Sequence, residues 1–516
     1  MANGSTRNLY LAATVACMTG ALFGYSVGYI GGVLVLPSFL HHFHLDKLPP
    51  AELAAAQAGP VSAWLVGALF GVPLGMPICS RLGRKSCLTF SALLYVVGAT
   101  LQLVDVNKSL ALFNFGRLLN GLGVGAGTLV SPMYICEIAP LSERGMLLSG
   151  YQTAIQAAAL AGFWAACAAH SNFSDSSSLQ WKIPVAVQLL PGLLLLFGSL
   201  FVPEAPAFLA DKGDLDAAVA ALAWLRRLPR DDPSVKDEVE VLENIKAATA
   251  TKEHSAGFLR QLRSRSLRKR LILGSGLMIA QNMVGLNALN YYAPVIFMSA
   301  GFTSVSTSLL LTGLFGLVKV LTAISFMFVF VKMRSNRFWL KFGSAVCGIS
   351  IVILAFCVRD ILAYDHIRDD RFDAQGVVSV LMVYVFAFAF GVSLGPISWN
   401  VCSEIFPSHL KAKCCAITTC VQWLFQIVIA GVTPHLLASL GWATYLVYAV
   451  FCAISFVWVT FFVPETKGVA LGKDMDDLFE LSLGSAVAEE HSITEVTSLL
   501  ADGRCLARRD SVGLPI

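Results

Sequence analysis

The sequence predicts an all-α membrane protein: twelve transmembrane helices in two pseudo-symmetric six-helix bundles, with a cytoplasmic helical linker. Hydrophobic residues make up 56% of the 516 residues and charged residues only 14%, whereas a soluble domain carries roughly 25% charge. About twelve apolar runs are long enough to cross a hydrocarbon layer of roughly 30 Å. They begin near Leu9, Pro60, Cys87, Leu110, Met146, Ile183, Leu271, Thr307, Trp339, Val377, Ala412 and Thr444.

Lysine and arginine follow alternate apolar runs, and they crowd the region between the sixth and seventh runs. The positive-inside rule therefore places both termini in the cytoplasm. Short amphipathic helices are expected around Leu215–Arg227 and Val235–Lys246. The predicted units are a first bundle at 1–203, a cytoplasmic linker at 204–267, a second bundle at 268–464 and a mostly flexible tail at 465–516.

The segment Gln281–Pro294 carries four carboxamides inside a long apolar run. Unpaired amides cost several kcal/mol in hydrocarbon, so such a helix must turn them inward. A polar surface halfway through a membrane indicates a path or a binding cavity, which is typical of transport. The alternative is that each amide only joins neighbouring helices.

Several motifs recur in the two halves at equivalent helix ends. The pairs are Ser80–Lys85 with Lys332–Arg337, Pro203–Pro206 with Pro464–Gly468, and Met133–Pro140 with Asn400–Pro407. This set resembles the sugar porter family of the major facilitator superfamily from about Leu9 to Leu478. The segments Gln281–Pro294, Gln180–Gln188 and Gln422–Phe425 are closest to its fungal sugar and quinate permease branch.

The resemblance implies a cavity between the halves that opens alternately to either side. A straight seventh helix cannot aim Gln281 and Asn287 at one ligand, so we expect it to break near Gly285 or Pro294. Gln152 and Gln156 are spaced to share one face of their helix. Amides beside aromatic surfaces suit a polyol, which has hydroxyls around an apolar ring. The predicted substrate-binding residues are Gln152, Gln156, Gln281, Asn282, Asn287, Tyr292, Trp399, Gln422 and Trp423.

The resemblance also implies a charged network that closes the cytoplasmic gate. The alternative is ordinary charge flanking the membrane. The predicted gating residues are Arg84, Glu137, Arg144 and Glu204 in the first half, with Glu404 and Lys411 in the second. The second-half motif Lys332–Arg337 keeps only Arg337 of the family pattern, so fewer gate contacts are expected, especially in that half.

Two positions depart from the family pattern. Proton-coupled relatives place aspartate at the position of Ser26, paired with a cation that matches Arg117. Because serine cannot titrate, we expect facilitated, uncoupled transport. Lys319 would favour an anionic polyol such as quinate if it faced the cavity, or else it pairs within the helix bundle. A proton-coupled quinate or sugar symporter and a non-transporting sugar sensor remain alternatives.

The remaining features define partners and location. The chain shows no nucleophile–base pair, phosphate loop or metal-ligand spacing, so we expect no enzyme activity, cofactor, metal or nucleic acid partner. Asn172 is a candidate glycosylation acceptor in a predicted outer loop. A monomer in the plasma membrane is expected, although an acidic dileucine motif at Glu495–Leu500 would direct it to a vacuolar or endosomal membrane. Gly121, Gly123, Gly125 and Gly127 are expected to form a close-packing surface.

Overall fold

The computed structural model describes residues 6–104, 108–253, 258–290, 305–363 and 374–469, together with Phe297, Met475, Leu478 and Phe479. Within these residues the chain is helical and contains no strand, which confirms the all-α prediction for that part of the chain. Tyr292 and the motif at Glu495–Leu500 lie outside the described residues.

Long helices separated by short connections build both halves. The first half contains α1 (Arg7–Gly28), α2 (Ile30–Val33), α3 (Pro37–His42), α4 (Pro50–Arg81), α5 (Arg84–Leu103), α6 (Leu110–Ile138), α7 (Leu141–Asn172), α8 (Leu179–Val187) and α9 (Leu189–Phe201). The second half contains α14 (Arg265–Met283), α15 (Val305–Ser325), a π-helical turn (Phe326–Phe330), α16 (Val331–Met333), α17 (Asn336–Ala363), α18 (Ala374–Gly391), α19 (Leu394–Glu404), α20 (Lys411–Leu440) and α21 (Thr444–Phe462).

Four helices connect the halves along the chain: α10 (Pro206–Lys212), α11 (Leu215–Arg226), α12 (Pro233–Glu253) and α13 (Phe258–Gln261). Asp214 caps α11 by accepting a hydrogen bond from the N–H of Ala217 at 3.1 Å, which satisfies one free donor of the first turn. Arg226 of α11 donates to the carbonyl of Ile138 at the end of α6. We call this end of the bundle the Glu137 end.

Ten helical stretches of the described chain are long and apolar enough to cross a membrane. One of them, Ser408–Phe462, contains both α20 and α21. The 32-residue helix α7 is a further long helix beside these stretches. Several helices extend beyond the apolar run that predicts them. For example, α7 begins at Leu141, whereas its apolar run begins near Met146.

Glycines on α6 let α4 and α5 pack closely on either side of it. A Cβ atom at Gly121 would lie 2.2 Å from the carbonyl oxygen of Trp64, and one at Gly123 would lie 2.6 Å from that of Ser91. Such distances leave no room for a side chain. The prediction of a close-packing glycine surface is confirmed.

The two halves meet along a polar and aromatic seam. Helix α20 packs against α4 and α6, while α15 packs against α7. Helix α19 reaches both α6 and α7. The cavity described next lies between these helices.

A candidate substrate cavity between the two halves

A cavity between the halves encloses about 960 Å³ of empty space, part of it open to solvent. On α7 its lining begins at Gln152 and continues through Phe163, toward the end of the helix at Asn172. Its polar lining residues are Gln152, Gln156, Gln281, Asn287, Asn290, Thr312, Lys319, Gln422 and Gln426.

Two amides of the first half line the cavity from one face of α7. Gln152 and Gln156 lie one helical turn apart, as their spacing predicts. Among the described residues, neither side chain has a hydrogen-bond partner. Gly395 of the second half lies opposite, where an added Cβ atom would approach Gln152 Nε2 to 3.2 Å. Both amides are therefore available to a ligand in the cavity.

The first membrane helix of the second half breaks where the sequence predicts. Helix α14 ends at Met283, Gly285 has φ = +100°, and residues 286–290 are helical again. This left-handed φ favours glycine, and an added Cβ atom would lie 2.9 Å from the ring of Tyr448. The break at Gly285 is confirmed, while Pro294 lies outside the described residues. The break at Gly285 brings Asn287 and Asn290 to the same cavity as Gln281.

Hydrogen bonds fix the amides of the second half. Gln281 Nε2 donates to the carbonyl of Gly395 at 2.9 Å, while its buried Oε1 has no partner within the described part of the chain. Asn287 Nδ2 donates to Asn282 Oδ1 at 2.7 Å, and Asn282 Nδ2 donates to Gln422 Oε1 at 2.6 Å. Gln281 Oε1 is thus a free acceptor for a ligand hydroxyl.

Two predicted binding residues do not line the cavity. Asn282 is fully buried and joins Asn287 to Gln422, so it positions those amides instead of facing a ligand. Trp423 is also fully buried, and its Nε1 donates to Thr128 Oγ1 across the seam at 3.1 Å. Contacts with neighbouring helices hold both side chains outside the cavity lining, and their predicted role in substrate binding stays a prediction.

Aromatic side chains nevertheless cover part of the wall. Trp399 lines the cavity as predicted, and its ring packs edge-on against Tyr151 with centroids 5.5 Å apart. Phe23, Phe315 and Phe390 also line it, although sequence reasoning did not select them. Gln426 was missed as well. Its i,i+4 spacing from Gln422 repeats the pattern of Gln152 and Gln156, and that signal could have identified it.

Lys319 lies in the cavity wall. The sequence alone did not decide between this position and pairing within the helix bundle. Its Nζ donates to Asn290 Oδ1 at 2.6 Å and lies 4.7 Å from the ring centroid of Phe315. No carboxylate of the described residues lies within ion-pair distance. Lys319 is the one charged side chain among the described residues that line the cavity.

The Ser26 and Arg117 region is a buried polar cluster outside the cavity lining. Arg117 is 1% exposed, and in the described residues it has no carboxylate partner. Its Nε donates to the carbonyl of Pro60 at 3.2 Å, and its Nη1 donates to Tyr29 Oη at 3.3 Å. The rings of Trp64 and Tyr29 lie 5.4 and 5.7 Å from the guanidinium carbon. Carbonyl, hydroxyl and ring contacts thus stabilise this cation.

Ser26 is held by neutral groups. Its hydroxyl donates to Asn120 Oδ1 at 3.1 Å and lies 3.1 Å from the hydroxyl of Tyr95. Asn120 also accepts from Trp64 Nε1 at 3.1 Å. Among the described residues, the cluster around Ser26 therefore contains no carboxylate in the place where the family resemblance implies one.

Part of the predicted gate network is present at the Glu137 end. Arg84 Nε lies 2.9 Å from Glu137 Oε2, with both side chains about 5% exposed or less. Lys411 of the second half lies 4.0 Å from Glu137 Oε1, and its Nζ donates to Cys136 Sγ at 3.3 Å. Arg84, Glu137 and Lys411 thus join the halves on the Glu137 side of the cavity.

Glu204 contributes through hydrogen bonds from backbone N–H groups and not through a side-chain ion pair. It accepts hydrogen bonds from the backbone N–H groups of Arg84, Lys85 and Ala205, the first at 2.8 Å. Burial raises the pKa of Glu204, and these N–H donors oppose that rise. Gly83 makes the contact possible, because it has φ = +105° and a Cβ atom there would lie 2.1 Å from Glu204 Oε2.

Arg144 and Glu404 form no ion pair among the described residues, so the predicted network is incomplete at this point. The charges of Arg144 and Lys411 act on Glu404 from a longer distance. Arg144 Nε is buried without a hydrogen-bond partner in the described residues. Asn172, the candidate glycosylation acceptor, is exposed at the opposite end of α7, where its Nδ2 donates to the carbonyl of Ala168.

These features define a helical membrane protein with a polar and aromatic cavity between two halves. Residues 12–478 match the family described as Sugar (and other) transporter. The chain is 35% identical over 482 residues to a probable quinate permease of Aspergillus niger, covering 92% of this chain and 88% of the relative. It is 33% identical over 477 residues to the quinate permease of Emericella nidulans, with 92% and 88% covered.

Solved structures show the same fold. The proton:xylose symporter XylE bound to 6-bromo-6-deoxy-D-glucose matches with a TM-score of 0.78 at 24% identity, covering 91% of this chain and 99% of XylE. The transporter FucP in the outward conformation matches with a TM-score of 0.55 at 13% identity, covering 88% of this chain and 100% of FucP.

The chain belongs to the family of sugar (and other) transporters. It is therefore a multi-pass membrane transporter and not an enzyme. The resemblance to sugar porters is confirmed.

Proposed function

We propose that this protein carries a monosaccharide or related cyclic polyol across a membrane by alternating access, without proton coupling. The observation that carries the proposal is the convergence of amides from both halves on one cavity. Gln152 and Gln156 come from the first half, and Gln281, Asn287 and Gln422 come from the second. Amides donate and accept hydrogen bonds, and Trp399 offers an apolar face for a sugar ring.

Alternating access is supported by the arrangement around the cavity. On the Glu137 side, the halves touch through the Lys411–Cys136 contact and through Asn400 Nδ2, which donates to Ser149 Oγ at 3.4 Å. The cavity instead extends toward Asn172. Breaking the contacts at the Glu137 end and closing the opposite end would expose the same amides to the other side.

We further propose twelve spans, with α20 and α21 as separate crossings and α7 as a crossing too. The predicted units at 1–203, 204–267, 268–464 and 465–516 fit that count. Basic residues near the Glu137 end support a cytoplasmic location for that end. A monomer in the plasma membrane is the simplest assembly for this cavity, which lies within one chain.

The absence of coupling rests on the neutral groups around Ser26. The test is uptake into reconstituted vesicles, where the expected result is saturable downhill flux of a hexose or quinate that a proton gradient alone does not drive uphill. Ser26→Asp would place a carboxylate next to Arg117 and is expected to confer proton-driven accumulation. Ser26→Asn is the matched control, because asparagine has nearly the same size as aspartate but does not titrate.

A proton-coupled quinate or sugar symporter is the second candidate. It is favoured by the relatives named quinate permeases and by the fold shared with a proton:xylose symporter. Uphill uptake by the unmodified protein under a proton gradient alone would establish this candidate and reject uncoupled transport. Binding of the sugar without flux would instead identify a sensor.

A further inference from the structure

We propose that Lys319 is the anchor for a carboxylate group on the transported polyol. This inference rests on the proposed function and narrows its substrate class from cyclic polyols in general to those that carry a carboxylate. The ammonium group lies in the wall of the same cavity as the amides that would hold the hydroxyls.

The ammonium group of Lys319 cannot reach either surface of the membrane. Lys319 is close to the middle of the span Thr307–Met333. At 1.5 Å per residue, both ends of that span are about 18–21 Å away. A lysine side chain is far shorter than this distance, so its ammonium group must be stabilised at mid-membrane.

The contacts of Lys319 leave room for an anion. Asn290 Oδ1 accepts one of its three N–H groups at 2.6 Å, and the face of Phe315 lies 4.7 Å away. Neither group carries a negative charge. Because a cation in a membrane interior is costly without a counter-charge, an incoming carboxylate would find its strongest attraction here.

Arg117 shows what a purely structural cation looks like in this protein. It is 1% exposed and has carbonyl, hydroxyl and aromatic contacts on several sides. Lys319 is instead partly exposed to the cavity and has one polar partner among the described residues. Lys319 is therefore placed to bind a ligand.

Asn290 provides a way to test the charge without removing the lysine. Asn290→Asp would place a carboxylate of nearly the same shape against the ammonium group. That internal ion pair would occupy Lys319, while the rest of the cavity keeps its shape. Lys319→Met removes the charge directly and keeps an unbranched side chain.

The experiment measures uptake into vesicles for two matched pairs of probes. Quinate is compared with quinamide, its neutral amide, and glucuronate is compared with glucose. In the unmodified protein, the carboxylate of at least one pair is expected to be preferred by about 10- to 100-fold, as one charge-assisted contact provides. Lys319→Met and Asn290→Asp should both lower the ratio of carboxylate uptake to neutral uptake within that pair to about 1, as expected when the charge-assisted contact is lost.

Lys413→Met is the control, because Lys413 lies over Phe258 and does not line the cavity. It should leave the preference unchanged. An unmodified protein that takes up the neutral probes equally well, or a Lys319→Met variant that still prefers the carboxylate, would overturn the role of Lys319. No saturable flux of any of the four probes would instead overturn the proposed function.

Discussion

At the Glu137 end, each half of the molecule has a glutamate that accepts hydrogen bonds from the start of a membrane helix. Glu204 accepts from the N–H groups of the first two residues of α5, and Glu465 accepts from those of α17. The next contact also repeats, since Lys85 donates to the carbonyl of Leu200 and Arg337 to that of Thr460. A carboxylate at a helix N-terminus is stabilised by its free N–H groups.

The halves differ at the first residue of these two helices. In the first half that residue is Arg84, which forms the buried ion pair with Glu137. In the second half it is Asn336, which donates to Thr466 Oγ1 at 3.2 Å. Glu404 stands at the position that matches Glu137, and it has no ion-pair partner in the described residues. At these matched positions of the described chain, the second half therefore lacks the side-chain ion pair that the first half has.

This difference indicates that the first half provides most of the side-chain attraction at the Glu137 end. The equivalent glutamates also face the opposite half differently. Lys411 lies 4.0 Å from Glu137, whereas Arg144 does not reach Glu404 within ion-pair distance. If the Glu137 end is a gate, variants of the two glutamates should therefore have unequal effects.

Glu137→Gln is expected to have the largest effect. Removing one partner of a buried ion pair leaves Arg84 uncompensated, at a cost of about 3–5 kcal/mol to the state in which this end is closed. Glu404→Gln should cost about 1 kcal/mol or less, as for weakly paired charges. The measurement is maleimide labelling of Cys136 and Cys415, which are 1% and 5% exposed and should react when the end opens.

Cys347 is the internal control for that measurement. It is fully buried in the second half and its Sγ donates to the carbonyl of Phe386, in contact with α18. Faster labelling of Cys136 and Cys415 with unchanged labelling of Cys347 would indicate opening and not unfolding. Equal effects of the two glutamate variants would contradict the inequality between the halves.

Gly83→Ala is expected to have an intermediate effect. The left-handed φ of Gly83 costs other residues about 1–3 kcal/mol, and the new Cβ atom would displace Glu204 from the start of α5. The matched change in the second half is Ser335→Ala, which removes the hydroxyl that accepts from the N–H of Phe338. Losing that cap should cost about 1 kcal/mol. Thermal unfolding in detergent would compare the stabilities of the two variants. A smaller loss of stability for Gly83→Ala than for Ser335→Ala would argue against the role of Gly83 in admitting Glu204.

Much of the fold could be predicted because apolar runs and their breaks are local features. The break at Gly285 followed from a glycine among amides that no straight helix could direct to one site. Helix ends were less predictable. Helix α7 begins at Leu141, before its apolar run, and its first turns hold Arg144, which is buried, and Glu143, which accepts a hydrogen bond from the hydroxyl of Tyr10.

The cavity could be predicted only where one helix contains the pattern. Gln152 and Gln156 share a face by their spacing alone. The directions of Asn282 and Trp423 could not be predicted in this way, because they depend on partners from other helices, Gln422 and Thr128. The contact between Lys319 and Asn290 likewise depends on how two helices meet, and spacing within either helix does not encode it.

Asn336→Arg is expected to have the smallest effect and is the sharpest test of the comparison. It would place a guanidinium at the start of α17, where Arg84 stands in α5, within reach of Glu404. A partly exposed pair contributes about 0.5–1 kcal/mol, and the contact of Asn336 with Thr466 is lost. Labelling of Cys136 should therefore slow by about 2- to 5-fold, as that free energy predicts.

Because this gain in stability of the closed end requires Glu404, it should vanish in the Asn336→Arg, Glu404→Gln double variant. A gain that persists there would mean that the arginine acts through another partner, and the equivalence of the two halves would fail at this position.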